Sequence, residues 1–432
     1  MCPSVRPGVG EKGMRSPPKQ ILILVASLSV FAAGRARGES HSLLWGASGE
    51  RWTPQSRLPD FSMAGYRRGE EPFRVPASKI SVKSFGARGD GESDDTAAFQ
   101  AAIRAGAGRV IFVPPGRYVL NSFLILSQSK TVLRGAGSSR TVLLFRTPGT
   151  VLDPRPARTD GGHPTSNWSW AGGLISIGGP KRRSDVAVRV AAEASRGDRE
   201  LVLAKCPYRP GDEIVLILHD DERKSLLEYL YRGQPGNVSG LKRWRVRQVF
   251  RVRGTDGRRV RLDRPLRFDV RLKWRPVVER FTPSVTDVGV EGFRFEFPAA
   301  PYRGHFREVG YNPIEITATA AHCWLRDLVI LNADSGPYVR GTFCTLLGIR
   351  LEADSSRLSA KGYAGHHGIS LYANDCLVTD FAIQTRFIHD LTVQSAVGCV
   401  FACGRGVDLC FDHHRWAPYE NLFTDIDAGR GS

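Results

Sequence analysis

Histidines are concentrated near one end of the sequence, where five of the ten lie between His366 and His414. In the segments that carry them, apolar residues alternate with polar ones, which predicts strands with an inward and an outward face. By this parity His366, His389 and His414 point outward. His413 has the inward parity and is expected to be structural. Outward imidazoles on neighbouring strands can transfer protons to and from a bound substrate.

Four other polar side chains belong to the same candidate catalytic site: Tyr372, Asp412, Arg415 and Asp427. In β-elimination from a uronate-containing glycan, a base removes the proton next to the carboxylate and a cation neutralises the developing charge. A histidine or Tyr372 can be the base, and Arg415 can neutralise the carboxylate. Hydrolysis instead needs two carboxylates about 5–10 Å apart around the glycosidic bond. Histidines outnumber independent carboxylates here, which favours a lyase over a hydrolase.

A metal site is a second use of the same residue types. The adjacent His366 and His367 can bind a metal ion, but the sequence shows no complete set of ligands around them. No Walker loop, dinucleotide fingerprint or serine-nucleophile elbow occurs in the chain. The sequence therefore assigns no cofactor with certainty.

The candidate residues lie in a region with an internal repeat. Segments that begin at Cys323, Cys344 and Cys376 align without gaps, with apolar residues two, five and seven positions after the cysteine. Successive starts, continued by Cys399 and Asn421, lie 21, 32, 23 and 22 residues apart. A unit of this length predicts a solenoid of stacked coils, with a loop inserted in the longer one.

The repeat also predicts structural roles for the cysteines and for several acidic residues. One cysteine per coil at an inward position predicts a stack of small apolar core residues rather than disulfides. Asp327, Asp380 and Asp425 each stand four positions after a repeat start. This recurrence indicates a role at a corner of the coil. It leaves Asp427, at an outward position, as a second candidate carboxylate besides Asp412.

The segment before the first coils carries a long motif. The run Phe85-Gly-Ala-Arg-Gly-Asp-Gly-Glu-Ser-Asp-Asp-Thr leads into a helical pattern, which Asp94 or Asp95 can cap. A strand and a Pro-Pro-Gly turn follow at residues 110–118. Together these features resemble the N-terminal signature of the pectate-lyase-like superfamily, which includes rhamnogalacturonase-like, epimerase-like and polygalacturonase-like proteins and phage tailspikes. The resemblance implies an all-β fold, a right-handed parallel β-helix with an N-terminal capping helix, and it allows Ca²⁺ as a cofactor.

Composition divides the chain into five parts. Arg15 and Lys19 precede a short apolar run, which predicts a secretory signal peptide with Met14 as its start. A change of pattern further on predicts a small β-domain inserted into the β-helix. The predicted parts are the signal peptide (1–38), a flexible leader (39–78), the cap and first coils (79–185), the basic β insertion (186–280) and the C-terminal coils (281–432).

The predicted signal peptide places the mature protein outside the cytosol: secreted, periplasmic or on the cell surface. No later segment predicts a stable membrane span. The last repeat is followed by no evident capping element, so we expect a chain that is truncated relative to its relatives or capped by a partner. The sequence assigns no oligomeric state.

A strongly basic stretch lies in the predicted insertion. The chain has a formal net charge of +18, and residues 241–280 alone hold 15 Lys or Arg against four Asp or Glu. Alternation of charged and apolar residues predicts a strand with one basic face, which would attract a polyanion. A solvated face without a ligand is the alternative. The residues predicted to bind the polyanion are Arg243, Arg245, Arg247, Arg251 and Arg253.

These features together predict a secreted protein that acts on carbohydrate. An exported chain meets acidic polysaccharide more often than nucleic acid, so we expect an acidic glycan as partner and no nucleic acid. The expected reaction is β-elimination by a polysaccharide lyase. The alternatives are a glycoside hydrolase of the polygalacturonase-like type that uses aspartates, and a polysaccharide-binding or adhesive β-helix without catalysis.

Overall fold

A computed structural model of the protein describes Gly46 and residues 50–53, 55–183, 186–242 and 244–430. The predicted signal peptide, the first residues of the predicted leader and Arg243 lie outside the described residues. Within the described residues, no helix is long and apolar enough to cross a membrane.

A short amphipathic helix, α1 (Thr96–Ala105), packs on the first coils of the protein. It buries Phe99 and Ala102 in the same core as the first strands. The Oδ1 atom of Asp94 accepts a hydrogen bond from the backbone N–H of Thr96 at 2.9 Å, which satisfies one of the free donors at the start of the helix. The predicted capping helix is therefore confirmed, with Asp94 as the side-chain acceptor.

The N-terminal coils consist of short strands with few residues between them, as the closely spaced apolar runs predict. Strands β8 and β9 below are an exception, since they form an antiparallel hairpin outside the coils. The elements are β1 (Lys79–Ser81), β2 (Asp90–Asp94), β3 (Val110–Val113), β4 (Gly116–Leu120), β5 (Leu124–Leu126), β6 (Val132–Gly135), β7 (Thr141–Phe145), α2 (Gly149–Leu152), β8 (Pro156–Arg158), β9 (Pro164–Ser166) and β10 (Ile175–Ile177).

The insertion contributes antiparallel strands that form their own sheet, in the order β11-β16-β13-β14-β15-β12. Its apolar core contains Phe250, Phe268 and Trp274, all with 0% exposure. The elements are β11 (Val188–Arg189), β12 (Glu200–Val202), β13 (Glu213–His219), α3 (Ser225–Leu230), β14 (Arg245–Asp256), β15 (Arg259–Leu262) and β16 (Val277–Arg280).

The C-terminal coils use longer strands. The elements are β17 (Val285–Thr286), β18 (Gly289–Glu296), β19 (Ile314–Ile316), β20 (Ala320–Ala321), β21 (Trp324–Leu331), β22 (Tyr338–Val339), β23 (Thr345–Glu352), β24 (Gly365–Leu371), β25 (Leu377–Ile383), β26 (Phe387–Val393), β27 (Val400–Gly406), β28 (Phe411–His413) and β29 (Leu422–Asp427). Single-turn 3-10 helices lie at Tyr66–Gly69, Val82–Phe85, Asn167–Ser169, Leu272–Trp274 and Ser355–Arg357.

Two long parallel ladders run through all coils and define a right-handed parallel β-helix, as predicted. The first sheet has the order β1-β3-β6-β18-β21-β23-β25-β27-β29, with β2, β4 and β7 beside this path. The second sheet has the order β5-β10-β19-β22-β24-β26-β28. The core between them consists mainly of Leu, Ile, Val and Phe.

The register of the first sheet is the one that the repeat predicts. Trp324 pairs with Thr345, and Thr345 pairs with Leu377, so the cysteines that precede these residues fall into one column. Successive coils therefore place equivalent residues on top of each other. The four cysteines of this column are free and fully buried, which confirms stacking in the core instead of disulfides: Cys323, Cys344, Cys376 and Cys399.

The strands of the first sheet bend at one common position, which interrupts each ladder for a single residue. The residues at this position, with φ between 52° and 75°, are Gly292, Asp327, Gly348, Asp380, Cys403 and Asp425. Left-handed backbone is accessible to Gly and tolerated by Asp, but is strained for branched residues. The corner role predicted for the three aspartates is confirmed.

The insertion is attached to the β-helix through buried charges. Asp375 lies at the turn that precedes β25, and its side chain is 1% exposed. Its carboxylate accepts hydrogen bonds from Arg264 at 2.9 and 2.7 Å and lies 2.5 Å from Arg267. Both arginines belong to the insertion. Burial would raise the pKa of Asp375, but the two guanidinium groups hold it below its ordinary value.

Apolar and cation–π contacts surround these ion pairs. Phe343, at the equivalent turn of the preceding coil, packs with Val215 and Val249 of the insertion. Arg68, from the later part of the predicted leader, stacks over the Phe343 ring at 4.4 Å and reaches Glu213 of β13 at 2.7 Å. This part of the leader is thus tied to both the insertion and the β-helix.

Replacement of Asp375 by asparagine should destabilise the protein strongly. The Asp375→Asn variant leaves two buried guanidinium groups without their shared counter-charge, a change that typically costs about 3–5 kcal/mol. The guanidinium chloride midpoint should fall accordingly. Asp380→Asn removes an exposed carboxylate from the next strand and should shift the midpoint little. Equal midpoints for the two variants would show that the buried pairs do not hold the insertion in place.

The bend position gives a second prediction. Asp380 has φ 53° and an exposed side chain. We expect Asp380→Val to lower the unfolding free energy by about 1–2 kcal/mol because a β-branched residue is strained in left-handed backbone. Asp380→Gly should not show this loss. Thermal unfolding followed by circular dichroism measures both, and a valine variant as stable as the glycine variant would contradict the strain.

Candidate functional site

Neighbouring strands of the second sheet bring the histidines together. In the parallel pair β24–β26, His367 lies opposite His389, and in the pair β26–β28, Thr392 lies opposite Asp412. Because adjacent strands lie about 4.8 Å apart, residues twenty or more positions apart become neighbours. The resulting histidine cluster consists of His305, His366, His367, His389 and His414.

Ring contacts connect the whole histidine cluster. The ring centroids lie 4.0 Å apart for His366 and His367, and 5.1 Å apart for His367 and His389. Those of His389 and His414 lie 5.5 Å apart. His305 comes from the loop between β18 and β19, and its centroid lies 4.4 Å from that of His366. Burial, together with repulsion between positive charges this close, lowers the pKa of His305, His366, His367 and His389 below the ordinary value.

Asp412 is the carboxylate of the cluster. Its Oδ2 atom lies 3.0 Å from Nδ1 of His414 and 3.3 Å from Nδ1 of His389. Although partial burial would raise the pKa of Asp412, the hydrogen bond from His414 and the nearby charge of His389 lower it. An ionised Asp412 keeps the proton of each imidazole on Nδ1. The other ring nitrogen, Nε2, is then free to accept a proton or to bind a metal ion.

His366 and His367 form the buried side of the cluster, and each is 2% exposed. The Nδ1 atom of His367 lies 3.1 Å from the hydroxyl oxygen of Thr392. Burial, followed by the charges of the neighbouring histidines, lowers the pKa of both side chains well below the ordinary value. The sequence predicted an outward His366, and it is instead covered by the loop that carries His305 and Phe306.

The covering loop also contributes a buried carboxylate. Glu308 is 4% exposed and accepts a hydrogen bond from the hydroxyl of Tyr302 at 2.5 Å. Its Oε1 atom lies 3.4 Å from Nδ1 of His366. Burial raises the pKa of Glu308 to about 7. Glu308 is therefore placed to orient His366 from behind.

The other predicted catalytic residues lie at different distances from the cluster. Tyr372 is mostly buried and its hydroxyl donates to the carbonyl oxygen of Trp170 at 3.4 Å. Arg415, next to His414 in the chain, is exposed and bonds to Asp160 at 3.0 Å. Asp427 lies on β29 of the first sheet, and its carboxylate accepts the N–H of Gly429. The structure thus brings His366, His389, Asp412 and His414 together but leaves Asp427 on another sheet.

The predicted polyanion-binding arginines lie on β14 of the insertion, apart from Arg243, which is outside the described residues. Arg245 is exposed and Arg247 is half-buried. Arg251 and Arg253 lie 3.2 and 4.0 Å from Glu70 of the leader. A basic strand is therefore present, but part of its charge is already compensated within the chain.

Two residues of the site had no signal in the sequence. His305 and Glu308 lie in the irregular segment between β18 and β19, where no periodicity predicts which residues share a surface. The absence of a complete ligand set around His366 and His367 was also an expectation that the structure corrects. Potential ligand atoms of His305, His366 and His389 lie within 4.8 Å of one another, as do those of His389, Asp412 and His414.

The donor chemistry of these two groups does not fit Ca²⁺, which the family resemblance allows as a cofactor. Calcium takes six to eight oxygen ligands. The cluster offers imidazole nitrogens and a single partly exposed carboxylate, Asp412. Imidazole suits zinc and the neighbouring transition metals.

Comparison with known proteins supports the resemblance predicted from residues 85–118. The family model described as rhamnogalacturonase A/epimerase, pectate lyase-like, matches residues 79–168. The preneck appendage protein of Bacillus phage PZA is 42% identical over 96 residues, which cover 22% of this chain and 10% of that protein. The mannuronan C5-epimerase AlgE3 of Azotobacter vinelandii is 36% identical over 98 residues, which cover 21% of this chain and 5% of that protein.

Among solved structures, an exopolygalacturonase from Thermotoga maritima is similar, with a TM-score of 0.44 and 10% identity. The alignment covers 82% of this chain and 67% of that one. A likeness of this size carries no information about chemistry. The chain also spans only a small part of the curated relatives that it matches. The family match lies in the cap and first coils and does not include the histidine cluster.

The exposed and the buried histidines of the cluster should differ in their reactivity towards diethyl pyrocarbonate. Brief treatment of the folded protein with diethyl pyrocarbonate should modify His305 and His414, and should leave His366 and His367 largely unmodified because they are buried. Peptide mass mapping gives the extent at each histidine. Exposed His163 serves as the internal reference for a freely reactive imidazole. Modification of His366 at the rate of His163 would contradict the covering loop.

Proposed function

We propose that this chain acts on a uronate-containing polysaccharide at the histidine cluster, by β-elimination. The arrangement of Asp412 between His389 and His414 carries the proposal, since it makes two oriented imidazoles that are still partly open to solvent. Buried Glu308 and the His366–His367 pair support this surface from behind. The family model, which matches residues outside the cluster, and the epimerase match favour a carbohydrate substrate.

His414 is the base in this proposal. Asp412 accepts the Nδ1 proton of His414, so the lone pair on Nε2 can take the proton from the carbon next to the uronate carboxylate. The electrons of that C–H bond form a carbon–carbon double bond, and the bond to the glycosidic oxygen breaks. The departing oxygen receives a proton from solvent and leaves as a new hydroxyl, and the His414 imidazolium returns its proton to solvent. An imidazolium beside Asp412 is stabilised in the same way as in other Asp–His pairs.

A cation is needed while charge builds up on the uronate carboxylate. Arg415 follows His414 directly and has a half-exposed side chain, 51% accessible. Its partner, Asp160, is still more exposed, at 77%. An exposed ion pair of this kind contributes little stability. A substrate carboxylate can therefore replace Asp160 at low cost, and Arg415 then neutralises it.

Hydrolysis is the second candidate, because two relatives with glycosidase names match 29% and 19% of this chain. Hydrolysis needs two carboxylates that reach the glycosidic oxygen. Next to the histidine cluster, Asp412 is partly open to solvent, but Glu308 is buried behind His366. This difference favours elimination. A polysaccharide-binding protein without catalysis is the third candidate.

The acidity of the substrate and its location are part of the proposal. The net charge of +18 favours a polyanionic partner. The predicted signal peptide would deliver the chain to where polysaccharides occur, outside the cytosol. Exposed Arg245 and Arg253 would attract a polyanion, and their contribution would appear as a dependence of binding on salt.

Incubation with a panel of acidic polysaccharides tests the reaction. Elimination creates a double bond conjugated with the carboxylate, which absorbs in the ultraviolet. We expect His414→Ala to lower kcat about 10²–10⁴-fold, the usual contribution of a general base. His413→Ala is the matched control, because it changes the preceding residue of the same chain segment, whose ring packs on Phe423 and not on the cluster.

Three outcomes separate the candidates. New reducing ends without ultraviolet absorbance would replace the lyase by a hydrolase. Binding without either signal would indicate a polysaccharide-binding protein. Elimination that survives intact in His414→Ala would remove His414 as the base, even if the reaction itself were correct.

A further inference from the structure

One face of the histidine cluster gathers imidazoles from three separate elements. His305 comes from the covering loop, His366 from β24 and His389 from β26, and one ring nitrogen of each lies within 4.8 Å of the others. From this convergence we propose that His305, His366 and His389 bind one divalent transition-metal ion of the zinc, cobalt and nickel class. The proposed site is independent of the glycan chemistry above, since it follows from the donor atoms alone.

The donor set determines the class of metal. Three imidazoles and an open position form a common arrangement for zinc in proteins. Hard cations such as Ca²⁺ and Mg²⁺ prefer oxygen ligands and are disfavoured here. Within this group of three residues, every potential ligand atom is an imidazole nitrogen.

Two of the three ligands have a carboxylate behind them. Nδ1 of His366 lies 3.4 Å from Glu308, and Nδ1 of His389 lies 3.3 Å from Asp412. Metal-binding histidines usually donate their second ring N–H to such a carboxylate, which fixes the tautomer and makes the other nitrogen a better ligand. With Nδ1 protonated in both rings, Nε2 of His366 and of His389 is free for the metal.

The buried polar atoms around His366 point to a missing ligand. Nδ1 of His366 and Oε2 of Glu308 are both buried, and the 3.4 Å contact between Nδ1 and Oε1 lacks hydrogen-bond geometry, although Ser169 lies close to both side chains. A buried polar group with a poor hydrogen bond is unfavourable. A metal ion on the opposite nitrogen would polarise the His366 ring and strengthen its N–H donation to Glu308.

The three histidines need to approach one another only slightly to bind an ion. Zinc–nitrogen bonds of about 2.0–2.1 Å in a tetrahedral site place the nitrogens about 3.4 Å apart. The present nitrogens lie within 4.8 Å, so they must approach by at most about 1.4 Å. His305 is exposed and His389 is half-buried, so both rings can rotate. The backbone beside His305 is held by a hydrogen bond from Thr165 to the carbonyl oxygen of Phe306 at 2.8 Å.

The competing set of donors is His389, Asp412 and His414. There, the Oδ2 atom of Asp412 already lies within 3.3 Å of Nδ1 of both histidines, so its lone pairs are occupied. The set of His305, His366 and His389 contains no carboxylate among its three members. An ion bound there would leave Asp412 and His414 as a pair and would add a positive charge beside them.

Metal binding can be measured directly on the full chain. The purified protein is treated with EDTA, dialysed and titrated with Co²⁺, with calorimetry for stoichiometry and visible absorbance for coordination. We expect one Co²⁺ per chain, with the intense visible bands of a four- or five-coordinate ion, and no competition by excess Ca²⁺. His305→Ala and His389→Ala should abolish these bands, and Glu308→Gln should weaken binding about 10–100-fold.

Controls separate the site from general histidine binding. His163→Ala and His413→Ala change histidines outside the proposed site and should retain full Co²⁺ binding. His366→Ala is not used, because His366 is buried and its loss can unfold the coil. Circular dichroism melting of each variant confirms that it is folded.

Three results would overturn the proposal. The first is the absence of saturable Co²⁺ binding. The second is Co²⁺ binding that is unchanged in both His305→Ala and His389→Ala. The third is loss of Co²⁺ binding in His414→Ala together with full binding in His305→Ala. The last result would move the ion to the Asp412 side. None of these measurements depends on a glycan, so failure of the proposed lyase reaction would leave the metal site intact, and the reverse also holds.

Discussion

The parallel register between coils is the constraint on which the rest of the structure depends. Each residue of a coil lies about 4.8 Å from its equivalent in the next coil, so a position that suits one residue type must suit it repeatedly. The cysteine column in the core and the left-handed bend with Asp or Gly both follow from this rule. The histidine cluster follows as well, since His367 and His389 are register partners. A shift of one residue between β24 and β26 would separate them.

The same register aligns the turns that precede the strands of the first sheet into one column, and the insertion contacts the protein at this column. Asp287, His322, Phe343, Asp375 and Glu420 all have left-handed backbone and precede equivalent strands of the first sheet. Their side chains project at one edge, where Arg67, Arg68, Arg264 and Arg267 meet them. Much of the positive charge near Asp375 is therefore used inside the protein.

The sequence was sufficient to predict structural features that repeat from coil to coil. It was insufficient to predict features that occur only once. Coil register, the cysteine column and the corner aspartates could be predicted because each appears in several coils at a fixed spacing. His389, Asp412 and His414 could be grouped because the alternation of inward and outward residues along each strand places all three on the outside of the coils. His305 and Glu308 could not, because their loop occurs in one coil only and its path over β24 depends on packing. The burial of His366 could not be predicted either, since parity gives the direction of a side chain and not what covers it.

Asp427 and the arginines show a second limit. Parity correctly indicates that a residue leaves the core of a coil, but a β-helix has more than one outer face. Asp427 and His414 belong to different sheets, and only the fold distinguishes them. Similarly, alternation on β14 predicts a basic strand, while Glu70, the partner of Arg251 and Arg253, comes from a segment with no sequence relation to it.

The energetic cost of the histidine cluster is the strongest reason to connect it with function. In the same strands, the next register pair is Ile369 and Leu391, which fills the coil without any polar atom. His367 and His389 lie two residues earlier in the same two strands. At that pair, imidazoles that must remain neutral at close range stand in place of apolar side chains. Glu308 adds another buried ionisable group beside them, 4% exposed. A stacked coil gains stability from leucine or isoleucine at these positions, so stability alone does not explain imidazoles there. The ion proposed at His305, His366 and His389 would use the lone pair of His389.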